Sequence, residues 1–180
     1  MSIGVKKTVL GVVLGLCVFA AGIPAMFWLL IRAVDRGLGW HPIMPQPPAL
    51  ILAAASGLVG FFWVTWSWSY LIFVGKGLPI EAFGKALHPT SVLVTAGPYA
   101  YTRNPMVVGY LMFLLAVALL SRSISGVIAI PVLAALAYGY LTTFEEKALV
   151  SRFGAEYEKY RRSVPVLFPR LSAYVHGAGA

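Results

Sequence analysis

The sequence predicts an all-α integral membrane protein: a polytopic bundle of about four transmembrane helices followed by a C-terminal amphipathic helix in the cytoplasm. Composition is the first observation behind this prediction, because 59% of the 180 residues are hydrophobic and only 11% are charged. A soluble domain of this size keeps a large polar surface, which this chain cannot supply. The second observation is that the apolar residues fall into four long segments. The third is that charged residues gather in the tail after Phe144.

Each apolar segment approaches or exceeds the length that crosses a bilayer, whose hydrocarbon core of ~30 Å needs about 20 helical residues. The segments run from Val9 to Ile31, Ala49 to Val74, Pro105 to Leu120 and Ile124 to Phe144. The first continues too far for a signal peptide, so we expect an uncleaved helix. The third is short, and the break at Ser121-Arg122-Ser123 predicts an antiparallel hairpin with the fourth. A single membrane domain over residues 1–180 accounts for the chain.

The distribution of positive charge predicts the orientation. With four spans and a cytoplasmic N-terminus, Arg32, Arg36 and Arg122 face outward, and the other eleven of the 14 Lys and Arg residues face the cytoplasm. Such a bias fixes the topology of membrane proteins. Both termini are therefore predicted to be cytoplasmic, in the inner membrane if the protein is prokaryotic. The net charge of +8 is explained in this way, and we expect no nucleic-acid partner because no basic recognition motif accompanies it.

The chain shows no pattern of metal ligands. Cys17 is the single cysteine and lies in an apolar run, while His41, His88 and His176 are scattered without ligand spacing. Neither a disulfide framework nor a metal centre fits this arrangement. We therefore predict a site that holds no metal.

A group of polar residues interrupts the apolar pattern at Gly97–Gly109, "GPYAYTRNPMVVG". Asn104-Pro105 is typical of a helix start, since Asn caps helices and Pro at the first helical position loses no useful donor. The free N–H groups of that helix end, with Arg103 beside them, suit a carboxylate or a phosphate. The alternative is a structural role, in which Arg103 extends to lipid phosphates.

The chain after the fourth segment carries two further signals. Glu145 and Glu146 lie at a membrane helix end, where carboxylates are costly unless solvated, paired or functional. Pairing with Arg103 is one of those alternatives. Further on, an apolar stripe recurs at helical spacing in Phe153, Tyr157, Tyr160 and Val164. The stripe predicts an interfacial amphipathic helix, which could also serve as a lid.

These elements together resemble a known superfamily. "GKGLP", "LVTAGPYAYTRNPMVVG" and "EEKALVSRFGAEYEKYRRSVPVLFP" occur in that order between residues 75 and 170. The chain is similar here to the isoprenylcysteine carboxyl methyltransferase and phospholipid methyltransferase superfamily. The resemblance implies an integral membrane enzyme that uses S-adenosyl-L-methionine to methylate a lipophilic acceptor. The acceptor, a membrane lipid or a small molecule, would enter from the bilayer.

The resemblance also implies the site. It assigns catalytic roles to Arg103, Glu145 and Glu146. The cofactor-binding positions that it implies are Ser91, Val92, Leu93, Val94, Tyr99, Arg103, Asn104, Pro105, Met106, Val107 and Glu145. These positions follow from the motif and not from spacing or composition.

Two departures from the family pattern concern the acceptor and one contact. Val107 stands where the family often has Tyr. Leu141 stands where members acting on prenylcysteine carry an Arg that recognises the substrate carboxylate, so a prenylcysteine substrate does not follow. Aromatic and hydroxyl residues between Trp63 and Ser69 suggest the wall of a tunnel for the acceptor, although such hydroxyls commonly bond to their own helix.

Two other functions remain as alternatives to the methyltransferase: a sterol-reductase-like NADPH enzyme and a non-catalytic membrane subunit.

Overall fold

The computed structural model describes residues 15, 17–76, 81–82, 85–86 and 90–174, and its helices confirm the predicted all-α class. The first part of the first apolar segment, His88 and His176 lie outside the described residues. The helices are α1 (Ile23–Gly37), which continues a π-helical turn at Val18–Gly22, then α2 (Gln46–Phe73), α3 (Pro105–Leu120), α4 (Ile124–Tyr140) and α5 (Glu146–Ser163). A π-helical turn at Leu141–Glu145 joins α4 to α5, and a 3₁₀ turn spans Gly97–Ala100. Two-residue strands, β1 (Glu81–Ala82) and β2 (Lys85–Ala86), pair antiparallel.

Among the described residues, three helical stretches are long and apolar enough to cross a membrane. They are Val18–Gly37, Gln46–Phe73 and the continuous stretch Ile124–Ser163, whose apolar part is α4. α3 is a shorter apolar helix. A tight turn at Ser121 and Arg122 joins α3 to α4, as the hairpin prediction requires. The chain is thus an integral membrane protein, and its described part holds three to four helices suited to crossing a membrane.

The observed helix limits differ from the predicted ones at the ends. α2 begins at Gln46, ahead of the predicted Ala49. Pro47 and Pro48 therefore lie in its first turn, where a missing N–H breaks no intrahelical bond. α1 continues past Ile31 to Gly37, because charged side chains are tolerated at the end of a spanning helix.

The contacts divide the chain into two compact units. The first comprises Met1–Ala55 and Leu114–Ala129. Within it, the Ser125 hydroxyl donates to the Ile31 carbonyl at 3.1 Å and the Ser123 hydroxyl accepts the Gly126 N–H at 2.9 Å. These bonds fix the start of α4 against α1.

The second unit comprises Ser56–Phe113 and Ile130–Ala180. Its helices α2 and α3 cross at two glycines. A Cβ atom on Gly60 would lie 2.6 Å from the Gly109 carbonyl oxygen, and one on Gly109 would lie 2.8 Å from the Gly60 carbonyl oxygen. Small residues let membrane helices approach this closely. The Ser56 hydroxyl adds a hydrogen bond between α2 and α3, because it donates to the Met112 carbonyl at 2.8 Å.

Replacing Gly109 with alanine should therefore lower the free energy of unfolding by about 1–3 kcal/mol, because the added methyl group forces two backbones apart. Gly139→Ala is the matched control: a Cβ atom added there would meet no atom within 4 Å among the described residues, and alanine favours the helix. Unfolding with SDS in mixed micelles measures both. Equal stability of the Gly109 variant and the control would contradict the close crossing.

Candidate active site

The loop at residues 97–104, which precedes α3, is shaped by glycine at its first position. Gly97 has a φ of 60°, and a Cβ atom there would lie 2.3 Å from Cζ of Tyr70. Any side chain would therefore be strained in backbone conformation and would clash with the ring. The loop then makes the 3₁₀ turn, in which Pro98, Tyr99 and Ala100 are buried. This turn directs the chain toward the start of α3.

The segment at residues 164–174, which follows α5, is hydrogen-bonded along the 97–104 loop. Arg103 N donates to Pro165 O at 2.9 Å, Arg170 N to Tyr101 O at 2.9 Å, Tyr174 N to Ala100 O at 2.9 Å, Thr102 Oγ1 to Val166 O at 3.0 Å and Asn104 Nδ2 to Val166 O at 3.1 Å. The Thr102 side chain is completely buried beneath this contact. The segment 164–174 therefore holds the loop in place through three main-chain bonds and two bonds from side chains of the loop.

α5 contributes an aromatic cluster under the same loop. Tyr157, Tyr160 and Val164 are buried together, as the predicted apolar stripe requires, and Leu93 packs against them. The Tyr160 hydroxyl donates to the Tyr99 carbonyl at 2.7 Å. Burial, reinforced by the Glu145 carboxylate, raises the pKa of the Tyr99 phenol. Tyr99 thus stays a neutral hydrogen-bonding group.

Arg103 and Glu146 form a buried ion pair. Arg103 Nη1 lies 2.5 Å from Glu146 Oε1, and both side chains are about nine-tenths buried. Arg161 lies at 3.8 Å from the second carboxylate oxygen. Arg103 Nε is also buried, and it has no hydrogen-bond partner among the described residues. A buried donor without a partner is costly, so this atom is a candidate contact for a bound ligand.

The π-helical turn sets the directions of the two glutamates. The Glu146 N–H donates to the Leu141 carbonyl, five residues earlier, so this turn contains one residue more than an α-helical turn. Such turns are frequent at functional sites because they shift the side chains that follow them around the helix. Glu146 points to Arg103 and is buried, whereas Glu145 is half-buried. The two carboxylates therefore have different surroundings.

The predicted positions 91–94 lie in an irregular segment beside the end of α2. Ser91 N donates to Gly75 O at 2.9 Å. Val94 is buried against Gly75, whereas Ser91 and Val92 are exposed. Arg152 of α5 donates to the carbonyl of the adjacent Thr90. The segment is thus held from both α2 and α5.

The predicted positions at the start of α3 are fixed by other partners. Pro105 is buried. Trp68 Nε1 donates to the Met106 sulfur at 2.9 Å. Val107 packs against the buried cluster of Leu141, Val166 and Leu167. These contacts orient the first turn of α3.

The family profile named "Phospholipid methyltransferase" matches residues 48–156, which is more than half of the chain. The chain belongs to this family. The matched region includes all of the predicted site residues, and the tail segment that holds the 97–104 loop follows it.

This phospholipid methyltransferase family member is similar in sequence to several named proteins. The Cobalt-zinc-cadmium resistance protein CzcN of Cupriavidus metallidurans is 32% identical over 155 residues, covering 81% of this chain and 71% of the relative. Protein-S-isoprenylcysteine O-methyltransferase of Schizosaccharomyces pombe is 36% identical over 80 residues, covering 44% and 34%. Methanethiol S-methyltransferase 2 of Bradyrhizobium diazoefficiens is 38% identical over 76 residues, covering 42% and 28%. The chain thus spans only about a third of each of these two enzymes.

A solved structure supports the fold. The eukaryotic intramembrane Ras methyltransferase, isoprenylcysteine carboxyl methyltransferase, matches with a TM-score of 0.57 at 20% identity. The match covers 86% of this chain and 53% of that chain. The membrane-helical fold of this family member is therefore similar to that of about half of the solved structure.

The structure brings most of the predicted residues together in the second unit, but it also reveals partners that the sequence did not. Arg103 and Glu146 bind each other, and the tail contacts Arg103 and Asn104 directly. Thr102 and the Val166 carbonyl were not predicted. Nothing in "VPVLFP" predicts this contact, because a main-chain acceptor has no signature in a sequence.

Proposed function

We propose that this chain transfers the methyl group of S-adenosyl-L-methionine to a lipophilic acceptor that reaches the site from the bilayer, with both termini in the cytoplasm. The observation that carries the proposal is the buried Arg103–Glu146 pair, in which Arg103 Nε has no partner among the described residues. A guanidinium in this environment is a strong candidate for binding an anionic group. The family and the two methyltransferase relatives support the reaction class.

The residues present fit the cofactor's polar groups. Its carboxylate would bind Arg103 Nε beside the N-terminus of α3, where the helix dipole favours negative charge. Its ammonium group would bind Glu145, a half-buried carboxylate whose charge acts on the Tyr99 phenol of the 97–104 loop. When bound, the cofactor supplies an electrophilic methyl group on a positively charged sulfur. The protein's residues would align this group with the acceptor and exclude water.

Leu141 argues for an acceptor without a carboxylate. The side chain is 3% exposed and packs with Val166 and Leu167. This apolar cluster provides no charge to recognise an acid at the position where prenylcysteine-methylating members carry Arg. We therefore favour a lipid with a neutral or amine-bearing head group, or a small apolar thiol. The thiol is favoured further by the relative named as a methanethiol methyltransferase.

The hydroxyl groups of the predicted tunnel wall in α2 are explained by hydrogen bonds within the helix. Thr65, Ser67 and Ser69 each donate to a carbonyl one turn earlier in their own helix. The hydroxyls thus give no separate evidence for a tunnel. The aromatic residues of this segment do contact the site: the ring centroids of Trp66 and Tyr101, which belongs to the 97–104 loop, lie 6.1 Å apart.

Equilibrium binding to the purified protein tests the cofactor. We expect S-adenosylhomocysteine to bind and NADPH not to bind, whereas the reductase alternative requires the reverse. A non-catalytic subunit would bind neither. Radiolabelled methyl transfer to total membrane lipid, methanethiol and N-acetyl-farnesylcysteine then identifies the acceptor class. Efficient turnover of farnesylcysteine with no label in lipid or thiol would contradict the argument from Leu141.

A further inference from the structure

The first unit contains a cavity that the proposed methyl transfer does not use. Its volume is about 300 Å³, at the lower end for small-molecule sites. The cavity is lined by Trp28 and Arg32 of α1, Gln46 at the start of α2, Leu120 at the end of α3, and Ser121 and Arg122 of the turn that follows. Two guanidinium groups, an amide and a hydroxyl therefore share one small space with an apolar wall.

Neither of the two arginines forms a salt bridge with a described residue. Arg32 Nε is buried without a hydrogen-bond partner among the described residues. The nearest carboxylate in sequence is Asp35, which interacts electrostatically with Arg32 without forming a salt bridge and whose Oδ1 accepts the Ser125 N–H at 3.1 Å. The cavity therefore has an excess of positive charge and of hydrogen-bond donors.

The backbone holds Arg122 at the cavity in an unfavourable conformation. Arg122 has a φ of 53°, a region that Gly or Asn occupies more easily. Its carbonyl oxygen accepts the Ile43 N–H at 3.1 Å, which fixes the turn against the loop between α1 and α2. An arginine at this position is thus explained better by what its side chain can bind than by the turn it forms.

We propose that this cavity binds the phosphate group of a membrane phospholipid. Phosphate oxygens match the geometry of two guanidinium groups and the neutral donors beside them. The cavity lies where spanning helices end and begin: α1 ends soon after Arg32, and α2 starts at Gln46. Helix ends of this kind lie at the depth of lipid head groups, and Trp28 is of the residue type enriched there. The inference is independent of the proposed reaction.

Native mass spectrometry of the delipidated protein tests this site. Dioctanoyl-phosphatidylglycerol should bind, and dioctanoylglycerol, which lacks the phosphate, should bind at least tenfold more weakly. Arg32→Gln and Arg122→Asn should each weaken phospholipid binding roughly tenfold or more, the loss expected for a charge-assisted hydrogen bond. Asn is chosen at position 122 because it tolerates the left-handed backbone.

Arg36→Gln is the matched control, since Arg36 is an exposed arginine on the same helix that does not line the cavity. It should bind phospholipid like the unchanged protein. Competition by inorganic phosphate would show that the free anion occupies the site as well and would support the same chemistry. Equal binding of dioctanoylglycerol, or unchanged lipid binding in both the Arg32 and Arg122 variants, would overturn the proposal.

Discussion

Replacing Arg103 with methionine is expected to lower the free energy of unfolding by about 3–5 kcal/mol, the loss typical when one partner of a buried ion pair is removed. The Arg103 and Glu146 side chains are only 9% and 10% exposed, and their charged atoms lie 2.5 Å apart. Without Arg103, the one salt-bridge partner left to Glu146 among the described residues would be Arg161, which is 3.8 Å away and 42% exposed. A partly solvated pair contributes little, so Arg161 does not replace the lost partner.

The double variant Arg103→Met with Glu146→Leu separates stability from ligand binding. Removing both charges eliminates the unpaired carboxylate, so most of the lost stability should return. Affinity for S-adenosylhomocysteine should remain at least roughly tenfold reduced, because the guanidinium that would bind its carboxylate is absent. SDS unfolding and equilibrium binding on the same preparations measure the two effects. Recovery of both stability and affinity in the double variant would mean that the pair has only a structural role.

The helix predictions succeeded where the signals are local. α3 begins at Pro105 and ends at Leu120, the limits predicted from the Asn-Pro start and the Ser-Arg-Ser break. Its limits depend on a few neighbouring residues with known backbone preferences. The apolar stripe of the tail likewise predicted the burial of Tyr157, Tyr160 and Val164.

The prediction failed where a helix continues without a local signal. The fourth segment was expected to end at Phe144, but the chain passes from α4 through the π-helical turn Leu141–Glu145 into α5. The turn itself contains no Gly or Pro that would stop a helix. Within α5, Gly154 adopts a φ of 55° and interrupts the helix. An isolated Gly in a helical pattern does not by itself indicate whether it bends the chain.

The site was predicted in its residues but not in its pairings. The resemblance selected Arg103, Glu145 and Glu146 from motif positions, and pairing of the glutamates with Arg103 was only one alternative. The structure shows that Glu146 is the partner. The bonds from Thr102 and Asn104 to the Val166 carbonyl span 64 and 62 residues. Such contacts depend on tertiary packing, because every residue offers the same main-chain acceptor.

Replacing Glu145 with glutamine is expected to weaken S-adenosylhomocysteine binding roughly ten- to a hundredfold, which corresponds to about 1.5–3 kcal/mol for a lost charge-assisted hydrogen bond. The change keeps the size of the side chain and removes only the charge that would bind the cofactor's ammonium group. Glu145 is half-buried, and glutamine keeps a side-chain oxygen that can accept hydrogen bonds, so the variant should unfold at nearly the same SDS concentration as the unchanged protein.

Two matched substitutions make the Glu145 result specific. Glu156→Gln removes a carboxylate from an exposed position on α5 and should leave both binding and stability unchanged. Glu146→Gln removes the partner of buried Arg103, so it should lower stability and affinity together. Isothermal titration of the three variants then distinguishes a ligand contact from a structural carboxylate. If Glu145→Gln bound S-adenosylhomocysteine like Glu156→Gln, the ammonium group would have to bind elsewhere. The different surroundings of the two adjacent glutamates would then serve folding alone.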